Sequence, residues 1–475
     1  MPRSHLLADQ AFSRAAGAPL VGGNTVLIQC DAEESYPAWL HAIAGARRWV
    51  HFECYIIHGD ATGHRFADAL IAKAREGVAV RVVFDWLGAI GATPWTFWRR
   101  LRKAGVEVRS FNPLRFDSPL GWLSRDHRKM LAVDGTVAFV TGLCVGDAWA
   151  GNPAKNLEPW RDTGVELRGP AIIDVEDAFA SIWETTGAPL PAAERVTHGS
   201  VREVGDVALR VIASEPAAAS VFRLDHLVTA LARERLWITD AYFVPTPPYV
   251  QALTAAANDG VDVRVLLPGG SDLMLVKPLT EAGYRTLLEG GVRIFEWDGT
   301  MVHAKTAVAD GRWARVGSSN ANVQSWLGNW ELDVAIEDER VGARMEEIFT
   351  RDLTRSTEIV LGEGARRLER ASHVPRATRA RRGSRTRAAR AGVLRLGHTF
   401  GAALTRRRGL GSTEAGALLY GGLLLGALAG VGLKWPRGLA WPLAIFALWL
   451  ALSWLVQAAK LWKGGRSGKE SGSCL

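Results

Sequence analysis

Cysteine is scarce: Cys30, Cys54, Cys144 and Cys474 are the only four in 475 residues, and no two are spaced as a Cys-x-x-Cys pair. That excludes a disulfide framework and a structural zinc site, and a reducing compartment fits best. The N-terminus, Met1-Pro2-Arg3-Ser4-His5, lacks the apolar stretch of a secretory signal, so the first domain is expected to stay in the cytoplasm. Acidic residues nearly vanish between 366 and 408, where fourteen arginines meet Glu369 alone. This local excess of thirteen exceeds the chain's net charge of +8 and leaves the remainder at −5. The globular part is therefore mildly acidic, which speaks against a body built to hold nucleic-acid backbones. Charge is missing altogether from residues 415–433 and 439–459, two apolar runs separated by Lys434-Trp435-Pro436-Arg437-Gly438.

Each run is about 20 residues, enough to cross a hydrocarbon core of roughly 30 Å as a helix. Helices of a soluble core carry a polar stripe, and these do not. The spacing predicts a transmembrane hairpin over 413–460. Arg406, Arg407 and Arg408 before it and Lys460, Lys463 and Arg466 after it outnumber Lys434 and Arg437 in its loop, which puts both ends in the cytoplasm. Trp435, Trp441 and Trp462 fall near the proposed interfaces; Trp454 has no such explanation. Residues 361–412 are then a basic juxtamembrane linker attracted to anionic headgroups, with a merely solvated linker as the alternative, and 461–475 a cytoplasmic tail.

The rest of the chain contains a repeat. His127-Arg128-Lys129-Met130-Leu131-Ala132-Val133-Asp134-Gly135 recurs as His303-Ala304-Lys305-Thr306-Ala307-Val308-Ala309-Asp310-Gly311, both reading H-x-K-x4-D-G. On a strand, His and Lys two apart point the same way, and the residue between them points to the opposite face. Asp-Gly signals a turn into a second apolar run. A carboxylate at that bend could reach back toward an imidazole; a turn former ahead of Gly is the plainer role for Asp134 and Asp310.

The surroundings repeat as well. Glu53-Cys54-Tyr55 on an apolar run precedes Gly77, and Asp240-Ala241-Tyr242 on another precedes Gly260; Gly105 and Gly291 each end a helix and open a strand. The order strand, helix, strand matches in two α/β units of about 180 residues, a duplication and not a short-period solenoid. Alternating strands and helices predict a mixed sheet flanked by helices on both faces. Two half-sites bearing the same residues suggest one shared site.

Such a pair supports phosphoryl transfer without a metal or other cofactor. One neutral imidazole attacks phosphorus, the opposite imidazolium protonates the leaving alcohol, and the two ammonium groups hold the nonbridging oxygens. An acidic partner on the second ring nitrogen fixes each tautomer. A zinc site is a poor fit, because Lys is a poor ligand and no carboxylate or thiolate completes the set.

The chain resembles the phospholipase D superfamily and, within it, the bacterial cardiolipin synthases. The superfamily pattern, H-x-K-x4-D followed by G-[GS]-x-N, is met by His303, Lys305, Asp310, Gly317, Ser318 and Asn320; in the first half His127, Lys129 and Asp134 match, but Thr141-Gly142-Leu143-Cys144 puts Cys where Asn is usual. Trp160-Arg161-Asp162-Thr163, Gly169-Pro170 and Asn329-Trp330-Glu331 are also similar to the synthases, and the likeness covers about residues 22–360.

The resemblance implies phospholipase D-type domains at 22–195 and 196–360 behind an N-terminal extension at 1–21. It implies a phosphohistidine intermediate, with His127 as nucleophile and His303 as acid by the family pattern, although the near symmetry of the halves leaves that assignment open. Lys129, Lys305 and Asn320 would bind phosphate oxygens, Asp134 and Asp310 complete the catalytic motifs in a structural role, and Asp162 and Glu331 sit where the family's acids orient the histidines. These two acids join Ser318 and Asn320 in the substrate-binding set. The synthases often carry their membrane helices at the N-terminus, whereas the hairpin here is C-terminal.

Cys144 replaces an amide with a weak thiol partner, which would slow the enzyme without abolishing it and makes the site asymmetric. Trp95, Trp98, Phe116 and Trp122 precede the first motif, where acyl chains or the bilayer interface could be met, or where they are core aromatics. These features predict transfer of a phosphatidyl group between anionic phospholipids at a bacterial cytoplasmic membrane, with the catalytic domains facing the cytoplasm and no nucleic-acid partner. Hydrolysis of the same lipids, a nuclease and a non-catalytic scaffold are the alternatives.

Overall fold

The computed structural model describes residues 3–113, 123–197, 199–273, 276–362 and 368–370, with seven isolated positions between 434 and 452. Within these, 3–111 and 125–362 form one compact unit. Asn112 and Ser124 lie outside it, joined by the Asn112 amide donating to the Ser124 carbonyl at 3.0 Å.

The first half contributes β1 (Val21–Cys30), β2 (Trp49–Cys54), β3 (Ala79–Asp85), β4 (Glu107–Phe111), the two-residue β5 (Arg125–Asp126), β6 (Lys129–Val133), β7 (Val137–Thr141) and β8 (Thr163–Arg168). β2, β3 and β4 run parallel, β6 joins β2 antiparallel, and β7, β8 and β1 follow antiparallel. The second half contributes β9 (Val207–Ser214), β10 (Arg235–Thr239), β11 (Asp262–Pro268), β12 (Arg293–Trp297), β13 (Thr306–Ala309), β14 (Trp313–Gly317) and β15 (Asn329–Glu337), followed by β16 (Ser356–Leu361). Its order repeats the first: β10, β11 and β12 parallel, β13 antiparallel on β10, then β14, β15 and β9. β1 and β9, the last strands of the two sheets, pair with each other at Val21–Leu209 and Asn24–Val207.

Strands β2, β6 and β7 are buried along their whole length, as expected where helices cover both faces. On one face of the first sheet, helices Asp31–Gly45, Ala61–Arg75 and Trp95–Lys103 press Trp39, Phe66, Leu70 and Trp98 onto Phe52 and Val82. Trp98 is thereby a core aromatic, stacked on Phe84 at 3.9 Å, while Trp95 is exposed. On the other face, helices Ile172–Thr185 and Glu339–Leu353 share one core with strands of both sheets, through Phe179, Trp183, Met345 and Phe349. Truncating Phe179, fully buried, to Ala would cost about 3–5 kcal/mol.

Gly105 and Gly291, expected to end helices, have φ of 94° and 85°, the left-handed conformation that glycine reaches without strain. The expected extension at 1–21 carries helix Arg3–Ala16, which packs on the second half: Ala16 joins that core, and Asp9 pairs with Arg210. Of the predicted basic linker at 361–412, residues 361–362 and 368–370 are described, and Leu368–Arg370 pairs antiparallel with β16 instead of standing as linker. The rest of it, the tail, Phe116 and Trp122 lie outside the described residues, as does the hairpin apart from the seven positions named above. Among the described residues no helix is long and apolar enough to cross a membrane.

Candidate active site

Both motifs lie at equivalent places, with Lys129 opening β6 and Lys305 just ahead of β13. The His127 N–H donates to the Trp330 carbonyl at 2.9 Å, and the His303 N–H donates to the Arg161 carbonyl at 2.6 Å. Each histidine segment is thus paired, main chain to main chain, with the residue preceding a carboxylate of the opposite half. The carboxylates complete the exchange. His127 Nδ1 lies 2.9 and 3.1 Å from the two Glu331 oxygens, and His303 Nδ1 lies 2.8 Å from Asp162 Oδ2. An ionised carboxylate only accepts, so both Nδ1 atoms carry the proton and both Nε2 atoms are left as acceptors, that of His303 facing Lys305 Nζ at 3.1 Å. Asp162 and Glu331 thus each hold one histidine ring of the opposite half through Nδ1.

The charges around the rings decide their protonation. Burial, then the Lys129 charge, lowers the His127 pKa against the pull of Glu331. Burial and the adjacent Lys305 ammonium bring His303 down to about 3. Lys305 Nζ lies 3.0 and 3.1 Å from the two ring nitrogens of His303, and burial with repulsion from Lys129 brings its own pKa down to about 8. The two lysines thus share one field. Burial alone would raise Glu331 and Asp162, but the His127 and His303 partners outweigh it and hold both carboxylates below their usual values.

Ser318, expected to bind substrate, has its hydroxyl on Glu331. Its hydroxyl donates to Glu331 Oε2 at 2.5 Å and accepts from the Leu332 N–H at 2.9 Å, so it braces the carboxylate behind His127. Asn329 does the same through its amide at 3.1 Å from Glu331 Oε1. Gly142 is the first-half counterpart of Ser318, and a Cβ there would collide with the Asp162 carboxylate. Asn320 is buried with its Oδ1 unpartnered and its Nδ2 a long 3.5 Å from Ser325 Oγ. Its counterpart Cys144 pairs with Cys54, which stands where the other half has Ala241; burial pushes the Cys54 thiol up, whereas for Cys144 the Cys54 and Lys129 contacts outweigh burial and lower it. Thr141 accepts from the Leu143 N–H at 3.1 Å and donates to the Thr163 carbonyl at 3.3 Å.

Asp134 and Asp310 do not reach an imidazole. Asp134 accepts the N–H groups of Arg47, Arg48 and Trp49, each at 2.8 Å, and Asp310 those of Arg233, Glu234 and Arg235 at 2.8–3.0 Å. Asp and Gly both take positive φ in each turn, 56° and 64° at 134–135 and 51° and 64° at 310–311, which aims the carboxylate at the start of the neighbouring strand. The turn role wins because three main-chain donors converge there.

Several contributors carried no sequence motif. Arg128, on the face opposite His127 and Lys129, is buried and donates to the carbonyls of Ala178, Ser214 and Glu331, clasping the halves together. The alternation of the strand had already turned it from the site. Tyr55 packs edge-on to His127 at 5.1 Å, and Tyr242 to His303 at 5.9 Å. Trp149 and Trp160 stand 5.6 Å from His303, with no aromatic ring near His127 to match them among the described pairs. The matching Tyr55 and Tyr242 of the two repeats were the available signal; Trp149 is unpaired between repeats and gave none, whereas Trp160 stood in the synthase-like Trp160-Arg161-Asp162-Thr163 run.

Fold and site together define a class, the duplicated α/β enzymes in which each half supplies one His–Lys motif to a shared site. A family profile described as "Cardiolipin synthase, PLD-like domain" matches residues 39–147 and 228–353. "Cardiolipin synthase A" of Pseudomonas syringae pv. syringae (strain B728a) is 32% identical over 364 residues, 75% of this chain and 74% of that protein. "Cardiolipin synthase" of Alkalihalophilus pseudofirmus is 30% identical over 72% of this chain and 68% of its own. The crystal structure of phosphatidylserine synthase from Haemophilus influenzae Rd KW20 has the same fold, with a TM-score of 0.59 at 12% identity over 74% of this chain and 91% of that one. The chain belongs to the cardiolipin synthase family of phospholipase D-like enzymes.

Proposed function

We propose that the chain moves a phosphatidyl group from one anionic phospholipid to an alcohol on another, giving a cardiolipin-type lipid and a free headgroup alcohol. The observation that carries this is the reciprocal pairing, His127 with Glu331 and His303 with Asp162, which leaves two Nε2 atoms and two lysines for one phosphodiester. One Nε2 attacks phosphorus, the P–O bond to the headgroup breaks, and the opposite imidazolium gives its proton to the departing oxygen. The acceptor hydroxyl then attacks, loses its proton to that same imidazole, and the P–N bond breaks. Lys129 and Lys305, with the unpartnered end of Asn320, hold the nonbridging oxygens as charge builds. Neutral imidazoles in the resting site suit the attacking role, and the incoming anionic phosphate supplies the field that protonates the acid.

The reading places domains of this type at 22–195 and 196–360, and anchors them to a cytoplasmic membrane by the uncharged runs at 415–433 and 439–459, with the arginine-rich 361–412 against anionic headgroups. The test is lipid extraction and mass analysis after expressing the wild type and His127→Ala in a bacterial host lacking its own cardiolipin synthases. Cardiolipin in the wild type alone is expected. Phosphatidic acid in its place would make the chain a hydrolase, and unchanged lipids would overturn the reading.

A further inference from the structure

We propose that Asp272 and Tyr242 form a subsite for a polyhydroxy alcohol beside His303, which selects a polyol acceptor over water; this rests on the transferase reading above. The Tyr242 hydroxyl donates to Asp272 Oδ1 at 2.9 Å. The same tyrosine ring stands 5.9 Å from the His303 ring and 5.7 Å from the Lys305 ammonium. The pair therefore bridges from the reacting imidazole to an exposed carboxylate on the loop after β11.

Both partners are held in place from behind. Asp240 accepts the Tyr242 N–H at 2.9 Å, and the Asn322 amide donates to the Tyr242 carbonyl at 3.0 Å. On the loop, the Gly269 N–H donates to the Trp297 carbonyl at 3.1 Å, and the Leu273 N–H to the Ser271 hydroxyl at 3.1 Å. Preorganised groups lose little entropy on binding.

The described residues of the first half place a different carboxylate at the corresponding strand end. There the strand end carries Asp85, whose carboxylate caps the next helical turn through the Leu87 and Gly88 N–H groups at 2.9 and 3.0 Å and pairs with Arg125 at 3.0 Å. That carboxylate is buried and committed, whereas Asp272 is open. Among the described residues the His303 side thus presents an exposed acceptor to an alcohol.

A carboxylate has about four lone-pair sites, so the Tyr242 bond leaves capacity for hydroxyl donors. A monohydric alcohol or water can fill the attacking position but gains nothing from Asp272; a diol places one hydroxyl on His303 and another on the carboxylate. A phosphate headgroup presented the wrong way round would meet like charge. The subsite also puts the acceptor's proton within reach of His303, leaving His127 for phosphorus.

The experiment uses the full chain with phosphatidylglycerol vesicles and, in parallel, added deuterium-labelled glycerol or 1-propanol as competing acceptors, scoring the labelled transfer products by mass against phosphatidic acid. The wild type is expected to prefer glycerol over 1-propanol. Asp272→Asn should lower the ratio of diol transfer to hydrolysis about tenfold, the scale of a hydrogen bond to a charged group, and erase the preference. Tyr242→Phe, which keeps the ring, should act in the same direction more weakly, and Asp272→Glu should restore part of it. An unchanged ratio in Asp272→Asn, or an equal fall with glycerol, propanol and water, would overturn the subsite. A wild type that consumes no phosphatidylglycerol would instead overturn the transferase reading itself.

Discussion

At the scale of single residues, the chemistry depends on which nitrogen of each imidazole carries the proton. Glu331→Gln keeps the size of the side chain but lets its amide donate to Nδ1, which stabilises the wrong tautomer of His127. A loss of about 10²- to 10⁴-fold in kcat with little change in KM is expected from steady-state kinetics, by analogy with the carboxylate of a catalytic triad. Lys305 predicts a pH dependence. Its folded pKa of about 8 lies below the usual 10.5, mainly because burial disfavours the charged form. The ammonium is kept below pH 8 and lost as pH rises through it, so kcat/KM should fall on an alkaline limb near pH 8. Stability should move the other way: between about pH 8 and 10.5 the unfolded lysine binds more protons than the folded one, so this group makes the fold gain stability over that window. A thermal-melt series run beside the pH–rate profile checks both signs. The H-x-K pairs were legible because they carry motif spacing, whereas the two acids were named only from the family resemblance. The bond from Ser318 to Glu331 was not legible, because spacing says which residue is near the site, not which way its hydroxyl turns.

At the scale of elements, the Asp-Gly turns are the clearest agreement between sequence and structure, and also the source of one correction. The dipeptide predicted the turn between β6 and β7, but the carboxylate binds the N–H groups that open β2 instead of an imidazole. Asp134→Ala leaves those donors to water or unpaired and puts a Cβ-bearing residue with no local hydrogen bond at φ 56°. A loss of about 1–3 kcal/mol of stability is expected in denaturant unfolding, with kcat of the folded fraction unchanged. Asn at the same position, which tolerates that φ, should lose less. A fall in kcat with unaltered stability would return Asp134 to the chemistry. Strand and helix order was readable from the paired glycines and apolar runs. The helix at Arg3–Ala16 and its packing on the second half were not, since Ala16 and Asp9 find their partners roughly 200 residues away.

At the scale of the whole molecule, the duplication is what makes the site. Neither half holds a complete set: each imidazole borrows its carboxylate from the other, and Arg128 ties Ala178 of the first half to Ser214 and Glu331 of the second. The repeat announced that two half-sites would meet. Their exchange of carboxylates was not readable from spacing, because it is set by main-chain pairing at Trp330 and Arg161. The account's central claim is covalent transfer through this crossed pair. The most direct measurement mixes the enzyme with phosphatidylglycerol, quenches in alkali within one turnover and maps the protein by mass spectrometry. A phosphatidyl adduct on His127, absent when His127 is Ala, is the predicted result; product accumulating with no adduct on either His127 or His303 would contradict it.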